Sequence, residues 1–80
     1  MTHIEFMDLH ANCVRTLGVY VVQATKTTQM LSECTANPPT AIERINLASQ
    51  GIVESDAHLT YLGAKSILYK AAVLGYGSSN

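Results

Sequence analysis

The stretch Asn37-Pro38-Pro39-Thr40 lies near the middle of this 80-residue chain and separates two long apolar-rich segments, residues 4–34 and 41–76. Neither proline has an amide hydrogen to offer a preceding helix, and Pro38 disfavours the α conformation at Asn37. A helix is therefore expected to end before this stretch and another to begin after it. The stretch predicts a sharp turn between two helices.

The boundaries of these helices follow from capping chemistry. Thr40 and Glu43 fit a capping box, in which their side chains satisfy the first free amides of a helix. Asn37 with Pro38 is an alternative start, because asparagine caps well and proline suits the first helical position. We predict one helical domain over residues 1–80, with a helix over about 4–35, a turn at 36–40, a helix over about 40–75 and a frayed tail at 76–80.

In the first segment, mostly apolar residues recur at alternating steps of three and four, which is typical of a helix face that packs on a core. The β-branched run at residues 19–22 and the neighbouring Gly18 also permit a strand there. A strand needs a pairing partner, and no second β-rich run occurs, so a helix is favoured. The predicted stripe consists of Phe6, His10, Cys13, Leu17, Tyr20, Ala24, Thr27, Leu31 and Cys34, widened by Met7, Val14 and Val21.

The second segment is predicted to form one long helix with a possible break at residues 51–55. Gly51 could end a helix, and Ser55 with Asp56 could begin another. Against a break, no proline follows Pro39, and the apolar Ile52 continues the helical pattern directly after the glycine.

Residues 57–76 carry apolar side chains around most of the helix. One line follows Ala57 through Gly75, and a second follows Leu59 through Tyr76 by way of Leu62, Tyr69 and Val73. Two lines cannot both face one partner helix, so a helix of this kind is expected to be buried on several sides. We predict an interface between copies of the chain, formed by Tyr61, Ala64, Leu68, Ala71 and Gly75.

The composition also favours self-association. Hydrophobic residues make up 48% and charged residues 14% of the chain, whereas a typical soluble domain is about 25% charged. A chain of this size buries only about 60% of the surface that it exposes when unfolded. The predicted fold class is therefore an all-α helical hairpin that dimerises into a four-helix bundle.

Charge and hydropathy argue against two classes of partner. The net charge is −1, and the five basic residues are scattered, so no nucleic-acid surface is predicted. Residues 57–76 are apolar, but His58, Lys65 and Lys70 interrupt them, so no membrane span is predicted. The N-terminus also lacks the basic and apolar regions of a signal peptide.

The two cysteines indicate a reducing compartment. Cys13 and Cys34 lie on one predicted helix, where 21 positions at about 1.5 Å each separate them by roughly 32 Å. A disulfide requires Cα atoms within about 7 Å, so an intrachain bridge is excluded. Free thiols are predicted, and a bridge between subunits is the alternative. Free thiols in turn favour a cytoplasmic location.

A loose cluster near the N-terminus offers the only candidate metal ligands that the sequence singles out. His3, Met7, His10 and Cys13 share one side of the predicted helix, and nitrogen with sulfur ligands suits copper or zinc. No Cys-x-x-Cys or His-Glu-x-x-His motif accompanies them, so we predict no metal and no cofactor. No acid, base and nucleophile set can be assembled either, and we predict that the chain is not an enzyme.

The general plan is similar to that of type III secretion needle subunits, which are short two-helix chains with a central proline-containing turn that polymerise into a helical tube. The turn at residues 37–39 matches this plan, and Ser66 with Lys70 looks like the Ser-x-x-x-Lys portion of their C-terminal helix. Gly63 stands where asparagine is usual, and Val73-Leu74 where a Lys-Asp pair is usual. The resemblance implies that such an architecture can build a filament, and we do not assign the chain to that family.

These observations together predict a non-catalytic helical protein that acts through protein–protein contacts, as a small cytoplasmic interaction, regulatory or adaptor protein. Its partners are expected to be a second copy of itself, most simply in a dimer, and another protein. The first alternative is a self-assembling filament or secretion-apparatus subunit of helical-hairpin type. The second is a small metal-binding helical protein.

Overall fold

The structure, a computed structural model, describes residues 1–75 and contains two α-helices. Helix α1 spans His3–Glu33 and helix α2 spans Ala41–Val73. They pack against each other along their length and run in opposite directions, which confirms the predicted all-α helical hairpin. No strand occurs among residues 1–75. The predicted frayed tail at residues 76–80 lies outside the described residues.

Both helices begin at a capping threonine. Thr40 is the N-cap of α2, where its hydroxyl accepts from the Glu43 amide at 3.2 Å, and its own amide donates to the Glu43 carboxylate at 3.4 Å. This reciprocal pair is the predicted capping box, and it decides between Thr40 and Asn37. At the start of α1 the hydroxyl of Thr2 accepts from the Glu5 amide at 3.1 Å. That cap was not predicted, although it has the same Thr-x-x-Glu pattern.

We expect Thr40→Ala to lower the free energy of unfolding by about 0.5–2 kcal/mol, because it removes the acceptor for one of the first amides of α2. Asn37→Ala is the matched control and should change it by less than about 0.5 kcal/mol. Urea denaturation of the two variants measures both values. Equal effects would contradict the assignment of Thr40 as the cap.

Both regions for which the sequence left alternatives are helical. Helix α1 continues through residues 19–22, so the alternative strand does not form. Its threonines bond back to the helix, as Thr27 donates to the Gln23 carbonyl and Thr28 to the Ala24 carbonyl. Helix α2 runs without a break through residues 51–55. It ends before Gly75, whose φ of 76° lies in the left-handed region that glycine adopts readily at a helix C-terminus.

The helices meet along a narrow line of residues that we call the seam. Its members are buried or half-buried and follow alternating steps of three and four, the spacing of a two-stranded coiled coil. On α1 and the residue that follows it the seam consists of Phe6, Leu9, Cys13, Thr16, Tyr20, Gln23, Thr27, Met30 and Cys34. On α2 it consists of Leu47, Gln50, Glu54, Ala57, Tyr61, Ala64, Leu68 and Ala71.

The position of the seam on α1 differs in part from the predicted stripe. Leu17 and His10 are exposed, and the neighbouring Thr16 and Leu9 lie in the seam instead. The same exchange places Met30 in the seam and leaves Leu31 exposed. The predicted stripe and the seam share every second member, and the members between them are shifted by one position, which brings Thr16 and Gln23 into the seam.

The hairpin has almost no apolar core of its own. Cys13 and Ala71 are its only buried apolar residues among residues 1–75, and no large side chain there is fully buried. The radius of gyration is 17.9 Å, compared with about 12 Å for a compact domain of this length. A rod of two helices therefore leaves most of its apolar side chains in contact with water.

Candidate functional site

The centre of the seam contains a polar cross-link between the two helices. Gln50 is 7% exposed, and its side-chain amide donates to the Gln23 side-chain oxygen at 2.9 Å and to the Gln23 backbone carbonyl at 3.3 Å. A polar pair inside a coiled-coil seam fixes the register of the helices, because shifting the helices would leave buried polar groups unpaired. The pair therefore selects this alignment of α1 and α2.

An aromatic stack lies beside this cross-link. The Tyr20 ring of α1 stacks on His58 at a centroid distance of 4.5 Å and on Tyr61 at 6.3 Å. The Lys65 ammonium lies 5.9 Å from the Tyr61 ring centroid, a geometry that favours a cation–π contact. Because these rings are flat and stacked, they allow the helices to approach closely without a wide apolar layer.

The candidate metal ligands do not converge. Cys13 is buried in the seam, whereas His3, Met7 and His10 are exposed. Within residues 1–75, no group of three or more His, Cys, Asp or Glu side chains is arranged to hold a metal ion. The structure thus offers no geometry that favours metal binding by these four residues.

Both cysteines carry free thiols, Cys13 buried and Cys34 half-buried. Because α1 is one continuous helix ending at the Cys34 cap, the separation of roughly 32 Å at 1.5 Å per residue holds. The length of helix between the two cysteines therefore excludes an intrachain disulfide.

The residues predicted at an interface between copies lie mostly in the seam. Ala71 is buried and Tyr61, Ala64 and Leu68 are half-buried, so they are already covered within one chain, while Gly75 is exposed beyond the end of α2. Their contact with a second copy stays a prediction. The second apolar line that the sequence contains, represented by Leu59, remains exposed.

The first of two exposed apolar surfaces lies on α1, beside the seam. Its members follow steps of three and four along 25 positions, and all are exposed except Ala24, which is half-buried. We call this surface the apolar flank. It consists of Met7, His10, Val14, Leu17, Val21, Ala24, Thr28 and Leu31.

The opposite side of α1 carries all of its formal charges. Every Asp, Glu, Lys and Arg of α1 lies on this charged flank, and none lies on the apolar flank. A cavity of about 210 Å³ opens along the charged flank, where Arg15 and Val19 of α1 meet Asp56 and Thr60 of α2. The charged residues of α1 are Glu5, Asp8, Arg15, Lys26 and Glu33.

The second exposed apolar surface lies on α2, on the side turned away from α1. It also follows steps of three and four, contains no charged residue, and is interrupted by the hydroxyls of Ser55 and Ser66. We call it the outer stripe. It consists of Ile45, Ala48, Ile52, Ser55, Leu59, Leu62, Ser66, Tyr69 and Val73.

The geometry defines an antiparallel two-helix hairpin with apolar surfaces on its outside. No protein-family model matches the chain, and neither a curated protein nor a solved structure is significantly similar to it. None of the helices in the described part of the chain carries an apolar segment long enough to cross a membrane. Any functional conclusion therefore rests on the surfaces of the hairpin itself.

Proposed function

We propose that this chain is a non-catalytic helical protein that acts through self-association, as a small interaction or regulatory protein. One observation carries the proposal. Small and polar side chains make up about half of the seam inside the hairpin, while many large aliphatic residues, such as Leu17, Ile52 and Leu59, face solvent. Exposed apolar surfaces of this extent usually mark protein–protein interfaces.

The surface area supports the same proposal. The chain exposes 5905 Å², whereas a compact monomer of its mass exposes about 4,700 Å². The surplus is about 1,200 Å², and each partner in a typical stable complex buries about 800 Å². A second hairpin packed along one side could remove this surplus and would produce the proposed four-helix bundle.

Two other features support a further partner and a compartment. Association with another protein is supported by the presence of two separate apolar surfaces, since a dimer through one leaves the other available. A reducing compartment such as the cytoplasm is supported by the free thiols of Cys13 and Cys34.

Size-exclusion chromatography with light scattering tests the proposal. We expect a species of twice the chain mass of 8.6 kDa, or about 17 kDa, at micromolar concentration. A monodisperse 8.6 kDa monomer at high micromolar concentration would contradict it, because the apolar surfaces would then be stable in water.

A filament subunit is the alternative that a specific observation favours. The apolar flank and the outer stripe lie on different helices and face different directions, so one copy could bind through its flank to the stripe of the next. Contacts between two different surfaces propagate into open assemblies when the rotation does not close. Negative-stain electron microscopy separates the two, since filaments would replace discrete dimers and their mass would grow with concentration.

A further inference from the structure

We propose that the apolar flank of α1 is the dimer interface, and that each of two copies presents this same flank to the other about a two-fold axis. The inference rests on the self-association proposed above and adds the surface, the residues and the orientation. Its occupant is a second copy of this chain.

Within α1, the distribution of charge selects this flank. The five charged residues of α1 all lie on the opposite side. Depletion of charge is the compositional mark of the buried part of an interface. The flank has the length that a helix pair needs, since 25 positions at about 1.5 Å each extend roughly 37 Å.

The residues at the centre of the flank suit a helix partner. Val14, Leu17 and Val21 form a run of aliphatic residues at steps of three and four, the spacing of the apolar residues in a coiled-coil seam. The seam within the hairpin lacks this arrangement and contains Thr16 and Gln23 at the same level. The better packing surface of α1 is thus the one that its own α2 leaves free.

The flank is also complementary to itself when two copies run antiparallel. With a two-fold axis halfway between Leu17 and Val21, Leu17 of one copy lies opposite Val21 of the other. The remaining pairs match large with small, polar with polar and large with large. They are Val14 with Ala24, His10 with Thr28, and Met7 with Leu31.

The outer stripe of α2 also matches itself, since an axis between Leu59 and Leu62 sets Ser55 opposite Ser66. Symmetric pairing requires only that one patch match itself, so it does not choose between the two surfaces. The centre of each surface differs, because the two central leucines of the stripe are flanked by serines. The four central residues of the flank are all apolar, and we therefore place the interface there; they are Val14, Leu17, Val21 and Ala24.

Two neighbouring valines provide a matched test. Val21 is 50% exposed at the centre of the apolar flank, and Val22 is 62% exposed on the charged flank. We expect Val21→Glu to raise the dimer dissociation constant about 100-fold or more, because each copy would bury an unpaired carboxylate at the two-fold axis. Val22→Glu should change it less than about threefold. Sedimentation equilibrium of the full chain measures both constants, and circular dichroism reports the helix content.

A milder pair of variants covers the case in which the carboxylate unfolds the chain. Val21→Thr keeps the β-branched shape and exchanges one methyl for a hydroxyl, and it should raise the dissociation constant about tenfold. Val22→Thr should leave it unchanged. Equal constants for the two threonine variants would overturn the proposed interface.

The outcomes separate this inference from the proposed function. A wild-type chain that is monomeric throughout would contradict both. A wild-type oligomer that tolerates Val21→Glu but dissociates on Leu59→Glu would overturn the α1 interface and leave self-association standing. A wild-type dimer that dissociates only with the Val21 variants is the expected result.

Discussion

Thr16→Asp is expected to lower the free energy of unfolding by about 3 kcal/mol or more, and to lower the melting temperature accordingly. Thr16 is 3% exposed, the lowest value among the buried residues described, and it lies in the middle of the seam. Its hydroxyl donates to the Cys13 carbonyl at 3.0 Å. An aspartate there would bury its charge, because its side chain is too short to reach water. Its carboxylate would also face the Cys13 carbonyl, to which it has no proton to donate.

This loss is a large fraction of the total stability, which is about 4–12 kcal/mol for a domain of 80 residues. Asn12→Asp is the matched control, because it introduces the same side chain one turn earlier at an exposed position. Arg15 already donates to the Asn12 side-chain oxygen at 2.7 Å and would keep that contact. Thermal unfolding followed by circular dichroism compares the two. Similar melting temperatures would mean that the seam is not where the structure places it.

The second large effect is expected for Gln50→Ala, which should destabilise the hairpin by about 1–3 kcal/mol. It removes both hydrogen bonds to Gln23 and leaves the Gln23 side-chain oxygen without its partner across the seam. Gln29→Ala is the control; it truncates an exposed glutamine of α1 and should change the free energy of unfolding by less than about 0.5 kcal/mol. Urea denaturation gives both values.

The paired variant Gln23→Leu/Gln50→Leu distinguishes stability from specificity. Replacing both partners by apolar groups should restore the stability lost in Gln50→Ala or exceed the wild type, because no polar group is left buried and unpaired. The leucine pair should also relax the alignment of the helices, which amide exchange would show as weaker protection near residues 23 and 50. A double variant as unstable as Gln50→Ala would show that the pair does more than fix the register.

The turn and the caps could be predicted because they depend on local chemistry. Two prolines in sequence end a helix whatever surrounds them, and Thr40 with Glu43 forms its box within one turn. The choice of Thr40 over Asn37 required the structure, since both residues can cap. The cap at Thr2 has the same Thr-x-x-Glu signal, which was also available from the sequence.

The position of the seam could not be predicted by following the larger apolar residues. Thr16, Gln23 and Gln50 are polar and carry no hydropathy signal, yet they occupy its centre. The two helices pack through the sides on which small residues and paired polar groups permit close approach. The bulkier stripe through Leu17 and Leu31 is left outside. The predicted stripe has the same spacing of three and four from Phe6 to Cys34, so periodicity alone could not separate the two.

The predicted interface on α2 shows the same limit. The sequence correctly indicates that residues 57–76 carry two apolar lines, but it cannot say which line faces α1. The structure places Tyr61, Ala64, Leu68 and Ala71 towards α1. The line through Leu59 and Tyr69 remains exposed. Contacts between copies are therefore proposed on the exposed surfaces, the apolar flank of α1 and the outer stripe of α2.

The central claim is that the hairpin completes its apolar core by association with a second copy. The dependence of the unfolding midpoint on protein concentration tests it most directly, because a folded dimer gains stability by mass action while a monomer does not. Thermal unfolding over a hundredfold range of concentration should give a midpoint that rises steadily with concentration. A midpoint that stays constant, together with a mass of 8.6 kDa at every concentration, would contradict the claim.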